Sequence, residues 1–235
     1  MNDPPCGQPH CPVASPTPQL LRRVRTVVEP AGTRLVRGVR NRHPPDELVP
    51  GVGDTRFAPL DDTSHTYLSA SRTAALLESA LHEATPPTPT LLIAELSRWD
   101  VVDVRLTERL RLADLRDLEL ARLGVGRDQL VTTSAAHYPC TRRWGNTLQG
   151  RTIGGEMLAG AVWHSRQADL HAAAQTGGLA ADLLVHRTVE VMVLWSPPAS
   201  RRPIEVDGVP EPLVVDGEPA RLVQELAALI GAPIM

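Results

Sequence analysis

Lysine is absent from this chain: all 24 basic residues are arginine. That removes every mechanism needing an amine, from Schiff-base chemistry to the phosphate-binding lysine of P-loop proteins and the kinase lysine–glutamate pair. Aromatic residues are scarce, seven in all (Phe57, Tyr67, Trp99, Tyr138, Trp144, Trp163, Trp195), too few to offer stacking platforms to a single nucleic-acid strand. The core must therefore be aliphatic, built on Leu, Val and Ala. An excess of positive charge is missing too: 24 basic residues against 27 acidic ones leave a formal net charge of −3. Without a basic field there is no counterion release to drive binding to a phosphate polymer, so no direct nucleic-acid partner is expected. Three cysteines, Cys6, Cys11 and Cys140, cannot close a disulfide framework. The beginning, MNDPPCGQPHCP, lacks the charged-then-apolar layout of a secretory signal, so a reduced, cytoplasmic location is expected. Long apolar runs are missing as well: LLIAEL and VEVMVLW fall far short of the roughly 18 residues a membrane span requires.

What remains is 235 residues, enough at about 150 per domain for one good-sized domain with tails. Residues 1–18 are proline-rich with little to bury, which predicts a disordered tail. Residues 19–200 are the expected domain, and 201–235 an extension packed on it. Thr17 followed by Pro18 marks the start of a helix over PQLLRRVRTVV. TRLVRGV suits a strand, followed by a long Pro- and Gly-rich loop ending in the turn Gly51 to Arg56. Short strand material precedes Tyr67, then SRTAALLESALHEA reads as a helix capped by Ser71, with the apolar stripe Ala70, Ala74, Leu77, Leu81, Ala84 and with Glu78 on its core-facing edge. PTPTLLIAELSRWDVVDVRL predicts one or two strands, LRDLELARLG a helix stopped by Gly124, TRRWGNTLQG a short helix, AGAVWHSRQ a strand ending near Ser165, and LLVHRTVEVMVLW further strands. Hairpin pieces with Asp-Gly turns and an amphipathic helix complete the chain. Helices and strands mix without a regular βαβ rhythm or an internal repeat, which predicts an irregular α+β fold.

Several local motifs carry little. Cys6, His10 and Cys11 are potential soft ligands, yet a tetrahedral site wants a fourth and none lies nearby, so no metal is expected. His164 and Ser165 are adjacent, and adjacent strand residues face opposite ways, which spoils a Ser–His pair. Gly51-x-Gly53 and Gly124-x-Gly126 lack the third glycine and the setting of a dinucleotide fingerprint.

The stronger constellation is spread out: Arg37 in LVRGV, Arg56 in GDTRFAPL, Tyr67, Glu78 on the following helix, and Ser165 in GAVWHSRQ. Taken singly, each has an ordinary role open to it. Arg37 can pair with Asp46 or Glu47, Arg56 can be a solvated turn residue, Glu78 can contact His82 one turn on for about 0.2–0.5 kcal/mol, and Tyr67 and Ser165 can be structural. Taken in order and spacing, with TRLVR, GDTRFAPLDDTSHTYLSASRTAALLESALHE, the block RLRLADLRDLELARLGVGRDQLVTTSAAHYPCTRRW and AGAVWHSRQ, the chain resembles the RES domain, named for its Arg, Glu and Ser, over roughly residues 33 to 195.

The resemblance implies a single RES domain with an ADP-ribosyltransferase-like mixed sheet core and flanking helices, the toxin half of a toxin–antitoxin pair. It implies NAD as substrate, cleaved at the nicotinamide–ribose bond by hydrolysis or phosphorolysis. Arg37, Glu78 and Ser165 would be catalytic, and Arg37, Arg56 and Tyr67 would hold NAD. The implied partner is a small Xre-like antitoxin, with a homo-oligomer through the antitoxin complex left open. The proline-rich beginning and the final helix lie beyond the family pattern and bear on assembly.

The residues suit that chemistry on physical grounds. NAD carries two phosphates, and guanidinium forks grip phosphate oxygens by paired, charge-assisted hydrogen bonds. Glycosidic cleavage normally takes two carboxylates, one of them to protonate the leaving group. Nicotinamide is already cationic in NAD and leaves neutral, so one carboxylate suffices to steady the sugar cation and orient the acceptor; Glu78 is the candidate. Tyr67 can stack on nicotinamide or cap its ribose, and Ser165 can bond ribose or carboxamide. Water, phosphate and a protein side chain remain open as acceptors, as does a non-catalytic module that binds a nucleotide or a partner.

Overall fold

A computed structural model of the chain describes residues 5–48, 55–61, 63–82, 90–165, 189–196 and 202–235. The turn residues Gly51 to Asp54, the helix-stripe residue Ala84 and the segment LLVHR of the expected late strands lie outside these. The main sheet is nine-stranded: β1 (Thr26–Glu29), β2 (Arg34–Arg40), β3 (Ser64–Ser69), β4 (Trp99–Leu106), β5 (Leu110–Asp114), β8 (Gly160–His164), β9 (Glu190–Ser196), β10 (Ile204–Val206) and β11 (Glu211–Pro212). Its order is β1-β5-β8-β9-β3-β2-β4-β10, with β11 also on β4 and the β5–β8 pair parallel. Two small hairpins, β6 (Thr152–Ile153) with β7 (Glu156–Met157) and β12 (Val214–Val215) with β13 (Glu218–Pro219), stand apart.

Connectivity forces this sheet to curl. Residues 107–109 alone join β4 to β5, so Leu106 and Leu110 lie at most about 14 Å apart. In the sheet β8, β9, β3 and β2 lie between them, and five steps of about 4.8 Å would separate them by about 24 Å if it were flat. The strands therefore wrap round one apolar cluster that draws on both ends of the order: Leu35, Val39, Leu68, Val102, Leu106, Leu110, Val162, Met192 and Ile204. The run VEVMVLW, read as a strand, is β9, buried at Glu190 to Trp195 because the sheet is covered on both faces there.

Six helices, among the described residues, pack on the outside: α1 (Pro18–Arg23), α2 (Arg72–Leu77), α3 (Ile93–Leu96), α4 (Asp117–Leu123), α5 (Tyr138–Leu148) and α6 (Arg221–Ile230). Leu21, Leu120 and Trp144, from α1, α4 and α5, pack on Ala113, Ala161, Trp163 and Val193. Leu76, Leu96 and Leu226, from α2, α3 and α6, pack with Val36 and Val101. The result is the mixed sheet with flanking helices expected of an α+β domain. The caps are where the sequence placed them: Thr17 Oγ1 accepts from Leu20 N at 3.3 Å, Ser71 Oγ accepts from Ala74 N at 3.2 Å, and Gly124 ends α4 with φ 74°.

Four local expectations need correction. The helix expected over PQLLRRVRTVV stops at Arg23, and Thr26–Glu29 pairs with β5 because a sheet edge outbids helix propensity in a β-branched run. IAEL forms one helical turn in place of strand. The helix expected from Ser71 to Ala84 ends at Leu77, with Glu78 as its C-cap. Its end sits on β2, where a Cβ on Gly38 would fall 2.1 Å from Ser79 Oγ; only glycine lets the strand pass beneath. The proline-rich beginning, for which disorder was expected, is placed against α5: Ala14 O accepts from the Trp144 indole at 2.6 Å, and Ala14 N donates to Gln129 O at 3.1 Å. Beyond residue 200, β10 and β11 add to the main sheet along β4.

Helix and loop approach closely at Gly145 of α5, where a Cβ would stand 2.4 Å from Phe57 O. Gly145→Ala is expected to cost about 1–3 kcal/mol through overpacking against main chain that cannot yield. Thermal denaturation measures this, and an unchanged Tm would contradict the packing.

Candidate functional site

The loop that brings Arg56 in is fixed by its neighbour. Phe57 is fully buried, stands edge-on to Trp163 at 4.9 Å, and holds φ at 61°, a left-handed conformation costing a non-glycine residue about 1–2 kcal/mol. Gly145 pressing on its carbonyl and the Trp195 indole donating to that oxygen at 3.1 Å hold it there. Arg56 is thereby turned inward: Nη1 donates to Leu130 O at 2.8 Å and Thr133 Oγ1 at 2.6 Å, Nη2 to Thr133 O at 2.8 Å, and the guanidinium lies 5.2 Å from the Tyr138 ring centre. Tyr67, on β3, donates its hydroxyl to Arg56 O and shares a 2.8 Å bond with Thr55 Oγ1. Burial, and after it the charges of Tyr138 and Glu78, raise its pKa well above the ordinary phenol value, so Tyr67 stays a neutral donor.

Glu78 reaches the same region from the C-cap of α2. Ser165, one residue past β8 and 1% exposed, donates its hydroxyl to Glu78 Oε1. The Ser165 backbone is held on both sides, its N–H donating to Val189 O at 2.9 Å and its carbonyl accepting from Arg127 Nη2 at 3.2 Å. Arg127 is itself forked onto Asp117 at 2.6 and 2.7 Å. His164 turns the other way, with Nδ1 3.1 Å from Asp117, so the adjacent His and Ser serve different partners, as strand alternation requires.

Arg37 stands apart from this group. It alternates along β2 with Val36 and Gly38, which face α2, and so lies on the other face of the strand. Nη1 donates to Pro45 O at 2.6 Å and Glu47 O at 2.7 Å, while the Asp46 and Glu47 carboxylates are taken by Arg202 at 2.6 and 3.0 Å. Burial lowers its pKa to about 10 against the pull of those two acids, which still leaves it charged at neutral pH. β2 and β3 share the single register pair Val36↔Ser69, while β2 pairs β4 along its whole length, so the sheet parts beyond Val36. The charges of Arg142 and Arg37 are both felt at His65, across this split and 5.8 Å from the Tyr67 ring. His65 Nδ1 and Thr66 Oγ1 are buried there with no hydrogen-bond partner among the described residues.

The structure thus gathers Arg56, Tyr67, Glu78 and Ser165, while Arg37 stays on the opposite face of the sheet, its charge felt at His65 across the split. Sequence reasoning missed Tyr138 and His82, whose ring nitrogen and hydroxyl meet at 3.1 Å, and Thr133. Scarcity was the available signal for Tyr138, one of two tyrosines in the chain. The RES domain family model matches residues 36–211. The chain belongs to the RES domain family. Its fold is similar to that of a chain in the crystal structure of the M. tuberculosis MbcT-MbcA toxin-antitoxin complex, with 12% identity, 89% of this chain and 95% of that chain covered, and a TM-score of 0.51. No curated protein matches this RES domain in sequence. Among the described residues, no helix is long and apolar enough to cross a membrane.

His65 gives the site a pH signature. Burial, with the Arg142 and Arg37 charges second, lowers its pKa from 6.5 to about 4. Between those values the unfolded chain binds the proton and the folded chain refuses it, so stability falls as pH drops through the window. Wild type is expected to lose roughly 2 kcal/mol between pH 7 and pH 5 that His65→Gln does not lose. Parallel urea titrations at the two pH values measure the difference, and equal losses would contradict a buried neutral imidazole.

Proposed function

We propose that this RES domain is the toxin of a toxin–antitoxin pair, that it cleaves NAD at the nicotinamide–ribose bond, and that an Xre-like antitoxin neutralises it by covering the pocket. The observation that carries the reading is the Ser165–Glu78 hydrogen bond, with the Glu78 carboxylate and the Arg56 guanidinium both near enough for their charges to be felt at the neutral Tyr67 hydroxyl. The antitoxin is supported by the similar fold in a solved toxin–antitoxin complex.

In the proposed reaction the C1′–N bond of NAD breaks with its electron pair going to the pyridinium nitrogen, so nicotinamide leaves neutral and no acid is needed. Positive charge collects on the ribose, where Glu78 is worth most because it is held in place before the charge appears. Ser165 keeps one carboxylate oxygen aimed while the other takes the 2′-hydroxyl. A water or phosphate oxygen then bonds to C1′, and a proton from it passes to Glu78 or solvent. Tyr67 closes the ribose side. Arg37 holds its two carbonyls through Nη1, and in this reading its Nε–Nη2 edge takes the pyrophosphate while Arg56 supplies the second positive charge from beneath Tyr138.

Nicotinamide release from NAD by the purified full chain, free of antitoxin, tests this with and without phosphate. Glu78→Gln is expected to cost about 10²–10³ in rate and Ser165→Ala roughly tenfold, the scale of losing a transition-state contact and of loosening one. A folded wild-type chain as inert as Glu78→Gln would overturn the reading. Label from NAD entering protein would place the acceptor on a side chain with the same bond cleaved.

A further inference from the structure

The three cysteines of this chain, separated by up to 134 positions, converge on one point of the surface. The sulfurs of Cys6, Cys11 and Cys140 all lie within 4.8 Å of one another, and none is in a disulfide. Cys6 and Cys11 come from the proline-rich beginning, and Cys140 is in the first turn of α5. His137, at the N-cap of the same helix, brings its Nδ1 to 3.6 Å from Cys6 Sγ, and Cys11 Sγ stands 3.5 Å from Cys140 Sγ. We propose that Cys6, Cys11, His137 and Cys140 form a structural zinc site that clips residues 5–17 onto α5.

Three sulfurs supply three corners of a tetrahedron, and His137, in contact with one of them, is the nearest source of the fourth. Zinc at about 2.3 Å from sulfur and 2.0–2.1 Å from nitrogen sets two thiolates about 3.8 Å apart and a thiolate and an imidazole about 3.6 Å apart. The contacts of 3.5 Å between Cys11 and Cys140 and 3.6 Å between Cys6 and His137 are within a few tenths of an ångström of these edges. Ordinary hydrophobic packing gives no reason to bring every thiol in a protein together. Three thiolates and one imidazole make a soft, closed set that suits zinc and leaves no position for a substrate water, which is the pattern of a structural site. His137 contacts Cys6, and a turn of its side chain toward the other two sulfurs closes the shell. The spacing is Cys-x₄-Cys in one segment and His-x-x-Cys in the other, so each segment supplies two ligands. This is why the sequence showed no complete site: two of the four positions are filled from the start of α5, while His10 lines the adjoining pocket. That pocket, of about 270 Å³ and lined by Pro5, His10, Cys11, Ala14, Cys140 and Arg143 among others, gives the ion a way in.

The clip has a use. Few apolar side chains in residues 5–17 can hold the segment down, and metal binding contributes folding free energy where a small core cannot. It also braces the start of α5, the turn that carries Tyr138 under Arg56. The inference stands independently of the NAD reading.

The test uses the full chain, purified without a histidine tag under reducing conditions, with metal content measured by mass spectrometry. About one zinc per chain is expected, with Cys6→Ser and Cys11→Ser each weakening zinc retention at least tenfold while circular dichroism stays native. Cobalt exchanged into the wild type is expected to show thiolate charge-transfer absorption that both variants lose, and a chelator is expected to lower the wild-type Tm and leave theirs unchanged. A native chain with three alkylatable thiols and no metal overturns the proposal. So does a Cys11–Cys140 disulfide without metal, and so does one zinc per chain that both variants retain.

Discussion

The hydrogen bond from Ser165 to Glu78 ties two distant parts of the chain together, and the rest of the site depends on it. One partner sits just past β8, in the covered middle of the sheet; the other caps α2. For the two to meet, α2 ends at Leu77, where Gly38 passes close under Ser79, and the end of β8 is held by Val189 and by Arg127, itself tied to Asp117. A carboxylate on a helix interior would have been set by the helix axis. At a C-cap it is set by whatever holds its oxygens, and here that is a buried hydroxyl.

The same economy governs the arginines. Without lysine, guanidinium is the chain's permanently charged side-chain grip for phosphate, and planar forks are useful only when preorganised. Main-chain carbonyls do this work: Leu130 and Thr133 for Arg56, Pro45 and Glu47 for Arg37. They fix the side chains without neutralising them, which a carboxylate partner would have done. The acids nearest Arg37 are turned to Arg202. Arg37 and Tyr67 lie on opposite faces of neighbouring strands, and the proposal that they serve one ligand depends on β2 and β3 parting after Val36.

What the sequence made legible followed local rules. The caps at Thr17 and Ser71, the stop at Gly124, and the strands of β2, β8 and β9 are written in neighbouring residues, and so is the family pattern through Arg37, Arg56, Tyr67, Glu78 and Ser165. What it hid depended on residues far apart. β1 is a strand because β5 is there to receive it, Glu78 is a cap because β2 lies under α2, and Tyr138 matters because a buried loop carries Arg56 onto its ring. The cysteines make the point most sharply: Cys6, His10 and Cys11 read as three soft ligands without a fourth, and the thiol that meets Cys6 and Cys11 in space is Cys140, 129 residues away from Cys11.

The central claim is that one prepositioned carboxylate serves the sugar of NAD. A crystal structure of the Glu78→Gln chain with NAD bound tests it most directly. The account predicts the nicotinamide ribose against the side chain of residue 78, Tyr67 beside it and the pyrophosphate at the split between β2 and β3. A dinucleotide bound elsewhere, or lying in the split with its ribose turned away from residue 78, would contradict it.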